Sequence, residues 1–120
     1  MKREIRIEIS GKRRSAHEFV RAWHRAKRGA SPEQPVDRLY FPDLATLLQV
    51  LTPRRLEALR LLHEHGPWSI RRLAMETKRN YKNVHQDIQI LKRMGLVTRA
   101  AESKLAVPWS RIVAEIAIAA

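Results

Sequence analysis

The sequence predicts an α+β fold that is mainly helical, and three observations support this. Residues 53–65, 70–77 and 81–94 each combine a capping residue with an apolar stripe at helical spacing. Two apolar runs that flank residues 100–103 predict a short hairpin after the third helix. Residues 4–10 alternate isoleucine with charged side chains, which is typical of a half-buried strand.

The first part of the chain is predicted to form a strand-helix extension. The strand at 4–10 is followed by a helix that begins after Ser15, because Glu18 completes a capping box with that serine. Gly29 is expected to end this helix. Two prolines indicate a loop over residues 30–36.

Residues 39–51 are predicted to add a short strand and a short helix. The strand at 39–41 would pair with the strand at 4–10. Pro42 is expected to open the helix, whose single apolar face would carry four leucines: Leu44, Leu47, Leu48 and Leu51.

Each of the three central helices has a recognisable start. Thr52 is the predicted N-cap of the first, with Pro53 in its first helical position, and Ser69 and Asn80 cap the other two. Gly95 is expected to end the third helix. The predicted inward-facing residues are Leu56, Leu59 and Leu62, then Ile70, Leu73 and Ala74, then Val84, Ile88 and Leu91.

Residues 112–119 allow two interpretations. Isoleucines and alanines alternate with Val113, Glu115 and Ala117, which favours a strand. The alanine content and a possible cap at Ser110 favour a helix. We favour the strand, paired with residues 4–10.

The net charge of +12 and the pI near 11.2 indicate a polyanionic partner. Residues 1–36 carry 10 Lys/Arg against 4 Asp/Glu, and residues 67–99 carry 8 against 2, so each block contributes +6. The chain contains no cysteine, which excludes disulfides, thiol catalysis and zinc–thiolate sites.

Several functional classes are not expected. No apolar run approaches the roughly 18 residues of a membrane span, and residues 1–10 lack the apolar core of a signal peptide, so we expect a cytoplasmic protein. The five histidines are scattered, and the sequence has no HExxH motif, Gly-rich phosphate loop or acid pair. We therefore expect no catalytic residues, no cofactor and no metal.

Three helices followed by a hairpin predict a winged helix-turn-helix, in which the third helix enters the DNA major groove. Its outward side chains would face base edges, while cations at the turn and on the hairpin would contact phosphates. Asp87, an acid among these cations, is predicted to pair with Arg71 or Arg72. The predicted DNA-binding residues are Arg71, Lys78, Arg79, Tyr81, Lys82, Asn83, His85, Gln86, Gln89, Arg99 and Lys104.

Residues 51–97 contain the segments LTPRRLEALRLL, SIRRLA and RNYKNVHQDIQILKRMGL. In these segments the chain resembles small prokaryotic winged-helix regulators related to the MarR and ArsR types, some of which look like antitoxins. The matching positions of the last segment are Arg79, Tyr81, Lys82, Asn83, Val84, His85, Asp87, Leu91, Gly95 and Leu96. The resemblance implies a DNA-binding transcriptional regulator.

We therefore expect a sequence-specific DNA-binding regulator that acts as a repressor, with the autoregulating antitoxin of a toxin–antitoxin pair as a narrower version. The alternative is a basic winged-helix protein that binds structured RNA. The predicted domain boundaries are 1–51 for dimerisation or partner binding, 52–108 for DNA binding, and 109–120 for an apolar segment packed on the extension. The expected partners are double-stranded DNA, a second copy in a homodimer, and a cognate toxin.

Overall fold

The computed structural model describes residues 3–9 and 38–116, and within these ranges the chain adopts an α+β fold, as predicted. The helix predicted after Ser15 and the loop at 30–36 lie outside the described residues. A 3-10 turn, Ala101–Ser103, joins two of the strands. The elements are β1 (Glu4–Ile9), β2 (Arg38–Phe41), α1 (Leu44–Val50), α2 (Pro53–His65), α3 (Ile70–Thr77), α4 (Tyr81–Arg93), β3 (Thr98–Arg99), β4 (Leu105–Ala106) and β5 (Arg111–Ile116).

The larger sheet has the strand order β2-β1-β5, and both outer strands run parallel to β1. In register, Ile7 lies between Leu39 of β2 and Ala114 of β5. The predicted pairing of residues 39–41 with β1 is confirmed, and so is the strand interpretation of the tail over residues 111–116. Residues 117–119 lie outside the described part of the chain.

The two faces of this sheet differ in polarity. The isoleucines of β1 are buried, with Ile5 fully inaccessible to solvent. On the opposite face, a guanidinium nitrogen of Arg38 lies 3.0 Å from a carboxylate oxygen of Glu8, and Arg111 lies 3.8 Å from Glu4. These ion pairs are exposed, so each contributes little to stability. The sheet therefore has one apolar face and one charged face.

Helix α1 differs from its prediction. It begins after Asp43, whose carboxylate accepts hydrogen bonds from the hydroxyl and the backbone N–H of Thr46, both at 2.7 Å. These two bonds hold the pKa of Asp43 below its ordinary value, and the bond from the hydroxyl has the larger effect. Pro42 thus precedes the cap. The prediction of one leucine face is wrong: Leu44 and Leu48 are 39% and 59% exposed, because α1 turns the stripe of Leu47, Val50 and Leu51 inward.

The caps of α2, α3 and α4 are confirmed. The side-chain oxygens of Thr52, Ser69 and Asn80 accept hydrogen bonds from backbone N–H groups two or three residues on, at 3.3, 3.1 and 2.8 Å. In α2 the predicted stripe is wrong at one position. Leu56 is 43% exposed, and Ala58 packs in the core beside the other two predicted leucines. These helices and the apolar face of the larger sheet belong to one buried cluster.

The hairpin that follows α4 is shorter than the strands at 96–99 and 104–107 that the sequence predicts, because each strand has only two residues. Helix α4 ends before Gly95, whose φ of 80° lets the backbone N–H of Leu96 reach the carbonyl of Leu91 at 2.9 Å. The backbone of Trp68 exchanges two hydrogen bonds with Leu105 of β4, at 3.1 and 2.7 Å. This bridge fixes the hairpin to the segment that enters α3. Among residues 3–9 and 38–116, no helix has the length and apolar content that crossing a bilayer requires.

Candidate nucleic-acid interface

Helix α4 has one buried and one exposed side. As predicted, Val84, Ile88 and Leu91 face the core and are at most 1% exposed. The opposite side presents polar residues, and its amides and amine are of the types that hydrogen-bond base edges. Four of the predicted residues on it are exposed, namely Tyr81, Lys82, Asn83 and Gln86, while His85 and Gln89 are half-buried.

The first turn of α4 also carries an aromatic pair. The rings of Tyr81 and His85 lie one helical turn apart, with centroids 6.0 Å from each other and a tilt of 35°. Tyr81 is 51% exposed. The phenol is therefore positioned against His85 with much of its surface in solvent.

The turn between α3 and α4 consists of Lys78, Arg79 and Asn80. Lys78 has φ 54° and ψ 44°, in the left-handed region, and its backbone N–H bonds to the carbonyls of Ala74 and Met75. This is the geometry in which helices usually end on glycine, since a Cβ there is strained. A strained residue with an exposed ammonium thus occupies the turn.

We expect Lys78→Gly to raise the free energy of unfolding by about 0.5 kcal/mol, because glycine adopts this conformation without the steric cost. The same change also removes a cation, and if Lys78 contacts phosphate, as the sequence predicts, it should lower the slope of log affinity for DNA against log salt concentration by about one. Lys78→Ala removes the cation but keeps the strain. Thermal melting and salt titrations on both variants separate the effects, and equal melting temperatures would contradict the strain argument.

Asp87 lies at the centre of an ion-pair network below the exposed side of α4. Its two carboxylate oxygens contact the guanidinium of Arg55 at 3.1 Å and that of Arg79 at 2.8 Å. All three side chains are between 13% and 18% exposed. Arg55 also donates to the backbone carbonyls of Gln49 and Val50, both at 2.9 Å. The network therefore connects α1, α2, the turn and α4.

This network corrects one prediction and qualifies another. Asp87 was expected to pair with Arg71 or Arg72, and that expectation is wrong, because its partners come from α2 and the turn. Arg72 instead contacts Glu76 at 3.2 Å and lies 5.0 Å from the centre of the Trp68 ring. Arg79, predicted to contact phosphate, has its guanidinium on Asp87 and is 18% exposed.

A groove of about 400 Å³ lies beside the turn. It brings together four of the predicted residues from α3, the turn and α4. Met75, 69% exposed, is an apolar member that the sequence did not indicate, since its position on α3 marks it only as outward-facing. The lining residues are Arg71, Ala74, Met75, Lys78, Arg79 and Tyr81.

The two predicted hairpin residues, Arg99 and Lys104, are exposed. The Lys104 ammonium lies 3.8 Å from the Glu102 carboxylate across the tip. Within the described ranges, no hydrogen bond or ion pair joins either cation to α4. The hairpin therefore carries its cations as a separate group. Nor do the described residues bring together three metal-ligating side chains.

A protein-family model described as HVO_A0114 matches residues 50–114, just over half of the chain. The match runs from the end of α1 into β5 and includes every residue of the candidate interface. No curated protein and no solved structure matches the chain.

Proposed function

The chain belongs to the HVO_A0114 family, and we propose that it is a sequence-specific DNA-binding transcriptional regulator. In this proposal residues 52–108 act as a winged helix-turn-helix. Helix α4 enters the major groove, α3 crosses the phosphate backbone, and the β3–β4 hairpin is the wing. The sense of regulation that we propose is repression, by a homodimer.

The observation that carries the proposal is how charge is divided between the two sides of α4. Lys82, Asn83 and Gln86 are exposed on one side, where hydrogen-bonding side chains can reach base edges. Asp87 is the one acid of α4, and two arginines neutralise it beneath the surface. The exposed side of α4 therefore presents no carboxylate that would repel phosphate.

Two cations lie next to one end of this surface, and the hairpin carries two more. Arg71 and Lys78 line the groove next to the first turn of α4, where backbone N–H groups also favour phosphate. Arg99 and Lys104 would let the hairpin contact a neighbouring phosphate. Contacts of this kind set the register of a protein on the duplex but do not read sequence.

The proposal is tested by equilibrium binding to the DNA upstream of the protein's own gene at about 150 mM salt, where electrostatic binding alone is weak. We expect this fragment to bind at least about 1,000-fold more tightly than a scrambled duplex of the same length. In a competition experiment, a hairpin RNA of equal charge is added to the complex of the protein with the upstream DNA. If the RNA competes as well as the upstream DNA, the alternative of structured-RNA binding replaces the proposal.

The narrower version, an autoregulating antitoxin, predicts a second partner. A toxin encoded next to this gene would bind outside residues 52–108, leaving the α4 surface free for DNA. Copurification of the two proteins with the upstream DNA would support this version. A neighbouring protein that displaces the DNA and contacts α4 would contradict it.

A further inference from the structure

Strand β5 forms one edge of the larger sheet. Its inner edge pairs with β1 along six residues, and among the described residues no strand pairs with its outer edge. Ala114 and Ile116 are exposed, Ile116 by half of its surface. The strand contains no proline, glycine or lysine, the residues with which proteins commonly protect an edge. It is therefore suited to pair with another strand.

The two charged side chains of β5 have few ion-pair partners among the described residues. Glu115 is in register with Glu8, whose carboxylate already lies 3.0 Å from Arg38. Within the described ranges, Glu115 forms no ion pair of its own. Arg111, four residues earlier, contacts Glu4 at 3.8 Å with 71% of its side chain exposed. One end of the strand thus carries an acid that no cation of the described residues contacts, and the other carries a weakly held cation.

We propose that two copies of the chain dimerise by pairing their β5 strands antiparallel, about a twofold axis that passes through Val113. With Val113 opposite Val113 of the second copy, Arg111 stands opposite Glu115 at both ends of the ladder. Opposed residues of an antiparallel pair share a face, so both ion pairs form on the charged face. The proposal rests on the proposed function, because a repressor that reads two half-sites uses a second copy.

The charges select this register over its neighbours. An axis through Ala114 would place Glu115 opposite Val113, and an axis through Ile112 would place Glu115 opposite Trp109. Neither arrangement brings Arg111 and Glu115 together. The Val113 register also sets Ile112 opposite Ala114, which continues the apolar face that Ile5 and Ile7 begin. The result is a six-stranded sheet with a self-complementary seam, as a twofold interface requires.

Charge reversal tests the interface. In Arg111→Glu and in Glu115→Arg every facing pair becomes a like-charge pair. We expect the dimer dissociation constant of each variant to rise about tenfold or more, and a tenfold rise corresponds to about 1.4 kcal/mol of dimerisation free energy. When the two variants are mixed, the two glutamates of one copy face the two arginines of the other, so a heterodimer should form. The double variant Arg111→Glu/Glu115→Arg should recover the wild-type homodimer. Sedimentation velocity without DNA measures all four samples, and native mass spectrometry identifies the heterodimer.

Glu102→Arg is the matched control for Glu115→Arg. It makes the same charge change on the hairpin tip, outside β5, and should leave the dimer intact. A monomeric wild type, single variants that dimerise like the wild type, or a mixture that forms no heterodimer would each overturn the interface. A variant that fails to fold is recognised by circular dichroism, and the double variant then decides. A monomer that still prefers its upstream DNA overturns only the interface. A dimer that binds all DNA equally overturns only the proposed function.

Discussion

Replacing Lys82 and Gln86 together with alanine is expected to weaken binding of the upstream DNA by about 100-fold or more. Both side chains lie on the exposed side of α4, and one good contact to a base edge is worth about 1–3 kcal/mol of binding free energy. The melting temperature should stay nearly unchanged, because neither side chain is in the core and alanine favours a helix. Fluorescence anisotropy with the upstream duplex measures the affinity, and calorimetry measures the melting temperature.

The matched control is the double variant Arg54→Ala/Gln49→Ala. It removes one cation and one amide from exposed positions on α2 and α1, so its net charge equals that of the test variant. We expect it to lose only the small affinity that one charge outside the exposed side of α4 provides. If both double variants weaken binding equally, general charge and not the α4 surface determines the affinity.

Asp87→Ala is expected to lower the free energy of unfolding by about 3 kcal/mol. The change leaves Arg55 and Arg79, both less than a fifth exposed, without the carboxylate that neutralises them. Removing one partner of such a network costs more than the network contributes, because the remaining charges stay desolvated. For a chain of this size the loss corresponds to a fall of about 10 °C in melting temperature.

Glu76→Ala provides the comparison for this variant. Glu76 pairs with Arg72 at 3.2 Å on the surface of α3, where such a pair is worth at most about 0.5 kcal/mol. Both changes remove one carboxylate and add +1 to the net charge. Urea unfolding of the two variants gives the difference directly. A cost for Asp87→Ala no larger than that for Glu76→Ala would mean that the network does not hold α4 in place.

The features that local chemistry determines could be predicted from the sequence. The starts of α2, α3 and α4 are predicted by Thr52, Ser69 and Asn80, because a cap bonds to a backbone group only two or three residues away. The buried stripe of α4 follows likewise from spacing alone. These two signals were enough to separate the exposed side of α4 from its core side.

The features that depend on distant residues could not be predicted in this way. Arg55 lies 32 residues before Asp87, and nothing in the spacing favours it over the nearer Arg71. Leu44, Leu48 and Leu56 stand at helical intervals, yet they are exposed, since periodicity shows that a face exists but not what covers it. In each case the tertiary arrangement decides between options that the local pattern leaves equal.

The parallel pairing of β1 with β5 has a consequence for how the chain reaches this structure. The hydroxyl and backbone N–H of Ser110 bond to the carbonyl of Arg3 across 107 residues, and the central strand of the sheet is the first to be synthesised. The caps and backbone hydrogen bonds of α1 to α4 join residues only a few positions apart, so these helices can begin to form before β5 is synthesised. β1 can pair with β2 early, but its other edge stays unpaired until residues 111–116 follow. Contacts of such long range slow folding, so closure of this sheet should be the late step during translation.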